Sequence, residues 1–181
     1  MIAWLKGNVL RRGENWMIVS DGNLGYKVFS SPSVVLASKV GDAVTLWVHE
    51  QQRDDGREFY GFQAPDELEL FWKLITVSGV GPKAGLTIVG SSNVGTVRKW
   101  IDDGNIAALS DIRGVGQKTA QKIVLELKGK LAEAGAGGDE AVDALVGLGY
   151  TREEARAALI GVAGISAEER LKSALKSLGK K

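Results

Sequence analysis

The 181-residue chain predicts an α+β multidomain fold in three parts: a small N-terminal β-barrel, a central all-α domain and a C-terminal helical domain. Three observations carry this. Residues 1–62 hold short runs of β-branched and aromatic residues broken by turn signals. From about Asp66 the apolar period lengthens to that of helices. A run of small residues at 132–138 then sets off a last segment with helix-start signals of its own.

The strand-like runs are residues 2–10, 16–20, 26–29, 44–48 and 59–62, with turns at Asp21-Gly22 and Asp55-Gly56. Five short strands are too few for a sandwich and suit a closed or nearly closed barrel of the OB type over residues 1–64. The segment 33–38 reads as one or two helical turns between strands. In the central domain, 65–131, Leu68, Phe71, Trp72 and Ile75 fall on one helical face, as do Val97, Trp100 and Ile101. After the flexible 132–138 linker, Asp139, Thr151-x-x-Glu154 and Ser166-x-x-Glu169 supply three helix starts within 139–181, the pattern of a three-helix domain.

Composition narrows the function classes. With 44% hydrophobic and 25% charged residues the chain is suited to a folded, water-soluble protein. It has no Cys, which excludes disulfides, thiolate metal sites and a cysteine nucleophile and fits a cytoplasmic setting. The opening MIAWLKGNVLRRG carries basic residues and no long apolar run, so it reads neither as a signal peptide nor as a membrane span. The net charge of +1 is unevenly spread. Residues 1–70 hold 7 Lys+Arg against 10 Asp+Glu, residues 71–131 hold 9 against 4, and residues 139–181 hold 7 of each. A basic middle segment is the footprint of a polyanion-binding module.

An internal repeat makes that footprint specific. Val77-Ser78-Gly79-Val80-Gly81-Pro82-Lys83-Ala84 returns 35 residues later as Ile112-Arg113-Gly114-Val115-Gly116-Gln117-Lys118-Thr119. The flanks repeat as well: Leu74 with Leu109, Ile88 with Ile123, Val89 with Val124. Each copy is an apolar helix, a Gly-Val-Gly turn, a lysine and a second apolar helix, which is the pattern of a helix-hairpin-helix motif. The glycines are expected to take φ > 0 and to bring bare backbone close to a bulky anion. The next helix starts there, so its free N–H groups and dipole face a phosphate. The candidate DNA-backbone set is Gly79, Gly81, Lys83, Gly114, Gly116, Lys118, Thr119 and Lys122. Such contacts position duplex DNA without reading its sequence.

Two enzyme readings arise from the same residues; the P-loop fails, and a glycosylase stays as the enzyme alternative, which trapping a Lys118 Schiff base on lesion-containing DNA would reveal. A P-loop needs Gly directly before Lys and another Gly five residues earlier, where this chain has Gln117 and Ile112. Gly114 to Ala120 resembles the hairpin of the endonuclease III-like glycosylases, in which the lysine attacks a sugar. Those enzymes also use a downstream Asp; here the candidate, Asp139, adjoins the linker, and no cysteine is available for an iron–sulfur cluster. No catalytic residue, metal or cofactor is expected. A monomeric repair protein that binds damaged or branched DNA remains the other binding-module reading.

Taken together, the barrel, the paired hairpins, the linker and the tail resemble the RuvA family of Holliday-junction branch-migration subunits. The specific points are Met1-Ile2-x-x-Leu5-x-Gly7, Gly25-Tyr26, Tyr60-Gly61-Phe62, both hairpins, and Ala144-Leu145-Val146-x-Leu148-Gly149-Tyr150. The resemblance implies a UBA-like tail and a homotetramer, single or stacked in pairs, that holds a four-way junction open. It implies a RuvB-type hexameric ATPase as partner, a RuvC-type resolvase as a further one, and work at the nucleoid of a bacterial cytoplasm. Asp54 and Asp55 occupy the place of that family's acidic pin, which keeps separated strands apart; the same pair is also a plain hairpin turn. Leu145, Leu148 and Tyr150 fall where the family contacts its ATPase, and equally where a forty-residue domain needs core. Trp4, Gly85, Arg113 and Gln117 depart from the family pattern. His49 reads as an ordinary strand residue and the five tryptophans as core and interface filler.

Overall fold

A computed structural model describes residues 1–54, 56–131, 140–159, 171–172 and 174–175. Asp55, the 132–138 linker, the Asp139 cap and the Ser166-x-x-Glu169 box lie outside the described residues. Two compact units are present, 1–132 and 133–181.

In the first unit the strands β1 (Trp4–Arg12), β2 (Trp16–Ser20), β3 (Gly25–Phe29), β4 (Ala43–Arg53) and β5 (Gly56–Phe62) close a barrel in the order β1-β2-β3-β5-β4. All pairings are antiparallel except β3 with β5, which is parallel. The short helix α1 (Pro32–Ala37) fills the crossover to β4, as the 33–38 segment suggests. The Arg12 guanidinium donates from Nη1 to the carbonyls of Val35, Leu36 and Ser38, meeting the free carbonyl end of that helix. Inside the barrel Val9, Met17, Val19, Val28, Leu46 and Val48 are buried.

Helices α2 (Pro65–Ile75), α3 (Pro82–Val89), α4 (Val94–Asp102), α5 (Ile106–Ser110) and α6 (Gln117–Leu127) follow. Their core is not closed off at residue 64. Phe59 packs toward the barrel interior, whereas Tyr60 and Phe62 point outward and join Phe71, Leu74, Ile88, Ile101 and Ile123. The Tyr60 and Phe71 rings stack at 5.7 Å, and Phe62 and Phe71 meet at 4.9 Å. Each fully buried side chain of this size stabilises by about 1.5–3 kcal/mol, so β5 serves two cores and mounts the helices rigidly on the barrel. Gly85 belongs to that mounting: a Cβ there would sit 3.1 Å from Ile75 and 3.2 Å from Phe71.

The tryptophans do not fill the core. Trp4, Trp47 and Trp72 are 49, 38 and 41% exposed, and Trp16 and Trp100 are half-buried. Trp4 and Trp47 are cross-strand partners on the outer face of the barrel, because Leu5, Leu46 and Val48 take the inward positions. His49 is more than a strand residue: its Nδ1 accepts from the Trp72 indole N–H at 3.2 Å, tying β4 to α2.

The second unit contains α7 (Glu140–Gly147), α8 (Arg152–Leu159) and helical residues at 171–172 and 174–175. Thr151 and Glu154 form the expected reciprocal cap: Glu154 Oε2 accepts from the Thr151 N–H at 2.8 Å, and Thr151 Oγ1 accepts from the Glu154 N–H at 3.3 Å. Leu145, Ala155, Leu159 and Ala174 make its core.

Candidate nucleic-acid interface

The two hairpins repeat in backbone as they do in sequence. Val77 N–H donates to Leu74 O at 3.1 Å and Val80 N–H to Val77 O at 3.0 Å. In the second copy Ile112 N–H reaches Leu109 O at 3.4 Å and Val115 N–H reaches Ile112 O at 2.9 Å. Val77, Val80, Ile112 and Val115 are all buried, so each turn is anchored by its apolar residues and presents its glycines outward.

Only one glycine of each pair needs the left-handed region. Gly79 and Gly114 have φ of 92° and 84°. Gly81 and Gly116, at φ −84° and −80°, are the N-caps of α3 and α6 in extended backbone that any residue adopts. A Cβ at either would meet nothing within 4 Å. The expectation of φ > 0 for all four therefore holds for two. At the other two positions the fold has room for a side chain, so local packing does not require glycine there.

The way helices begin in this domain points the same way. Asn93 caps α4 by accepting from Thr96 N–H at 2.8 Å, and Asn105 caps α5 by accepting from Ala108 N–H at 3.0 Å. At α2 the Glu67 carboxylate accepts from the N–H groups of Gln63 and Ala64. No side chain caps α3 or α6. The first N–H groups of an α-helix have no partner within the helix, and those of α3 and α6 receive none from an N-cap side chain. Lys83 and Lys118 are exposed at the second residue of these helices, Lys122 is exposed one turn on from Lys118, and Thr119 is half-buried. Lys83, near the start of α3, and Arg113 and Gly114 of the second turn line a common cleft of about 820 Å³.

The β4–β5 hairpin carries Asp54 exposed at its tip. Its stem holds a charged cluster that sequence reasoning missed. Arg53 Nε lies 3.0 Å from Glu58 Oε2, and the Tyr60 hydroxyl donates to the same oxygen at 2.9 Å. The Tyr60 bond, Arg53 and, more distantly, Lys83 hold the Glu58 carboxyl below its usual range against some desolvation. Burial, with Glu58 adding to it, pushes the Tyr60 phenol up to about 12. Glu50 accepts from Ile2 N–H and pairs with Arg57 at 3.2 Å, pinning the chain start to the same hairpin.

In the tail Leu145 is fully buried, which takes its side chain out of reach of any partner in this conformation. Tyr150 packs against the same small core, whereas Leu148 is 60% exposed. Its neighbour Val146, 39% exposed, is a further apolar surface residue, present in the family pattern but not among the expected partner contacts. Among the described residues no group of three or more His, Cys, Asp or Glu could hold a metal ion, and no helix is long and apolar enough to cross a membrane.

Comparison with known proteins accounts for nearly the whole chain. Residues 71–130 match the SAM-like helix-hairpin-helix tandem family, residues 1–61 the RuvA N-terminal domain and residues 137–179 the RuvA C-terminal domain. A Thermoanaerobacter protein (strain X514) named Holliday junction branch migration complex subunit RuvA is 40% identical, over 99% of this chain and 100% of its own length. The chain belongs to the RuvA family. RuvA proteins of Desulforamulus reducens, 38% identical over 97% of this chain and 95% of theirs, and Chloroflexus aggregans, 37% identical over 99% of each, carry the same name.

Proposed function

We propose that this chain is the non-catalytic DNA-binding subunit of a branch-migration complex, gripping the phosphate backbone of a four-way junction through its paired hairpins. The observation that carries the reading is the contrast in helix starts: α4 and α5 are capped by asparagine, while α3 and α6 begin uncapped beside exposed glycines and lysines. Gly79 and Gly114 shape the turns, Gly81 and Gly116 admit the phosphate, and Lys83, Lys118, Thr119 and Lys122 supply charge and hydrogen bonds. A homotetramer, single or stacked, would place such a pair on each arm of the junction, with Asp54 and Asp55 repelling phosphate at the crossover. The test compares band shifts of a four-way junction and a linear duplex of equal length. Tighter junction binding at moderate salt is the expected result; equal affinity overturns the reading.

The tail is assigned to a RuvB-type ATPase, with Leu148 and Tyr150 at the contact and Leu145 supporting it from within. A RuvC-type resolvase is a second partner of the assembled junction. The stretch 139–181 is electrically balanced and carries no Gly-Val-Gly hairpin, so a protein partner suits its exposed apolar residues better than DNA does. Truncation after Leu131 should leave junction affinity intact and abolish stimulation of the ATPase. Loss of junction binding by a folded, truncated body would place the tail in the DNA site instead.

A further inference from the structure

The Arg53–Glu58–Tyr60 cluster is built at the root of the hairpin that carries Asp54, and nothing in the backbone grip described above uses it. Its geometry is specific. One oxygen of Glu58 takes both the Arg53 Nε–H at 3.0 Å and the Tyr60 hydroxyl at 2.9 Å. Tyr60 is completely buried, its ring stacked on Phe29 at 5.7 Å and on Phe71 at 5.7 Å, so its hydroxyl is a fixed donor. It therefore holds the carboxylate in place, and the carboxylate holds the guanidinium. All three side chains lie on the outward face of β4–β5, the face that packs on α2, because Phe59 and Val48 take the barrel side.

An arginine at this position has two acceptors to choose between once a polyanion arrives. Arg53 keeps 43% of its side chain exposed and Glu58 keeps 26% of its own, so the pair is open to water and to a competing oxyanion. A phosphodiester offers a guanidinium the same charge and a similar spacing of oxygens as a carboxylate does. We propose that Glu58 is an internal stand-in for a DNA phosphate: it holds Arg53 beside the hairpin tip in the free protein and yields it to the strand backbone when the junction binds. Arg53 is then a further backbone contact, and Glu58 is a positioning residue that also opposes DNA bound without that exchange. The inference rests on the junction-binding reading above and deepens it at one place, the root of the β4–β5 hairpin.

The experiment measures junction affinity of the full chain across a salt series for wild type, Glu58→Gln, Arg53→Gln and the double variant, with a melting curve for each. Gln at 58 keeps an oxygen for the Tyr60 hydroxyl and removes the charge, with an amide NH2 in place of the second oxygen. Glu58→Gln should tighten junction binding by up to about fivefold, the scale of an exposed ion pair. Arg53→Gln should weaken binding and lower the slope of log K against log salt by about 0.9, one phosphate's share. In the double variant the gain from Glu58→Gln should shrink, since its beneficiary is gone. Weaker or unchanged binding by Glu58→Gln, or an Arg53→Gln slope equal to wild type, overturns the proposal, whether or not the melting point moves. Failure of the wild type to prefer junction over duplex sinks the junction reading itself, and the wild-type arm alone reports that.

Discussion

The two hairpins share a backbone and differ in what surrounds it. Both start a helix from an uncapped, extended glycine, and both turn on a glycine with φ near 90°. The first is followed by Pro82, which has no N–H to offer, and its Lys83 lies close enough to Glu58 to feel that carboxylate. The second is followed by Gln117, which keeps its N–H, and adds Arg113 within the turn itself. Similar main-chain geometry thus comes with unequal electrostatics: the first hairpin has its lysine within the reach of the Glu58 charge, and the second presents one more N–H and one more cation. A repeat in sequence is a repeat in shape, and the shares of the work need not be equal.

The largest expected effect tests the shape that the hairpins share. Gly81→Val with Gly116→Val puts branched side chains where the fold has empty space and a phosphate would need it. Charge-assisted amide bonds contribute about 1.5–3 kcal/mol each, so blocking both hairpins should cost roughly a hundredfold or more in junction affinity. Stability should fall by only about 1 kcal/mol per site, the cost of a poor N-cap. Gly79→Ala with Gly114→Ala reverses the emphasis: left-handed alanine strains the fold by about 1–2 kcal/mol per site. Thermal melts and titrations on the same samples would separate the two pairs. Equal binding losses at equal stability cost would mean that Gly81 and Gly116 have no special relation to a ligand.

The next effect sharpens the inequality. Lys118→Ala should weaken junction binding by about tenfold, the low end for a charged contact, and take about 0.9 from the salt slope. Lys83→Ala should cost less, because Glu58 already shares that charge. Combining each change with Glu58→Gln should bring the two losses closer together. If Lys83→Ala proves the costlier change in wild type, the first hairpin is the dominant grip and the asymmetry runs the other way.

Much of this is legible in the sequence. The repeat located both hairpins, and β2 matches the 16–20 run residue for residue. The sequence pattern marks only 44–48 and 59–62 of the β4–β5 hairpin, which spans Ala43–Arg53 and Gly56–Phe62. Its outer half is Glu50-Gln51-Gln52-Arg53 against Arg57-Glu58, held by ladder bonds and ion pairs, and without apolar alternation it gives no strand signal. The boundary at 64 hid the shared core for a related reason. Phe59-Tyr60-Gly61-Phe62 is apolar on both faces, the mark of a strand buried on two sides, and Tyr60 and Phe62 turn that second face to the helices. The Arg53–Glu58–Tyr60 cluster was illegible because cross-strand register, and not sequence spacing, brings Arg53 to Glu58. Leu145 and Leu148 have one residue type and opposite exposure, which is decided by where a helix turns toward its own core.

The smallest expected effect concerns a single atom. Gln117 is the first residue of α6 as Pro82 is of α3, and the preceding glycines match closely, Gly116 at φ −80°, ψ 163° and Gly81 at φ −84°, ψ 171°. That extended conformation is what a residue before proline prefers, and proline suits the first turn of a helix, where the N–H has no partner in the helix. Gln117→Pro should therefore fold like the first hairpin and lack one donor. Losing one hydrogen bond to a bound strand costs about 0.5–1.5 kcal/mol, or about two- to tenfold in junction affinity. Gln117→Ala is the control, since it removes the side chain and keeps the N–H; the difference between the two variants isolates the amide. In the reverse direction Pro82→Ala gives the first hairpin the donor it lacks and should tighten binding by a similar factor. An equal affinity for Gln117→Pro and Gln117→Ala, with unchanged melting points, would show that this N–H does not face the DNA. The second hairpin's advantage would then rest on Arg113 and on a Lys118 free of Glu58, and the repeat would be symmetric in its hydrogen bonds after all.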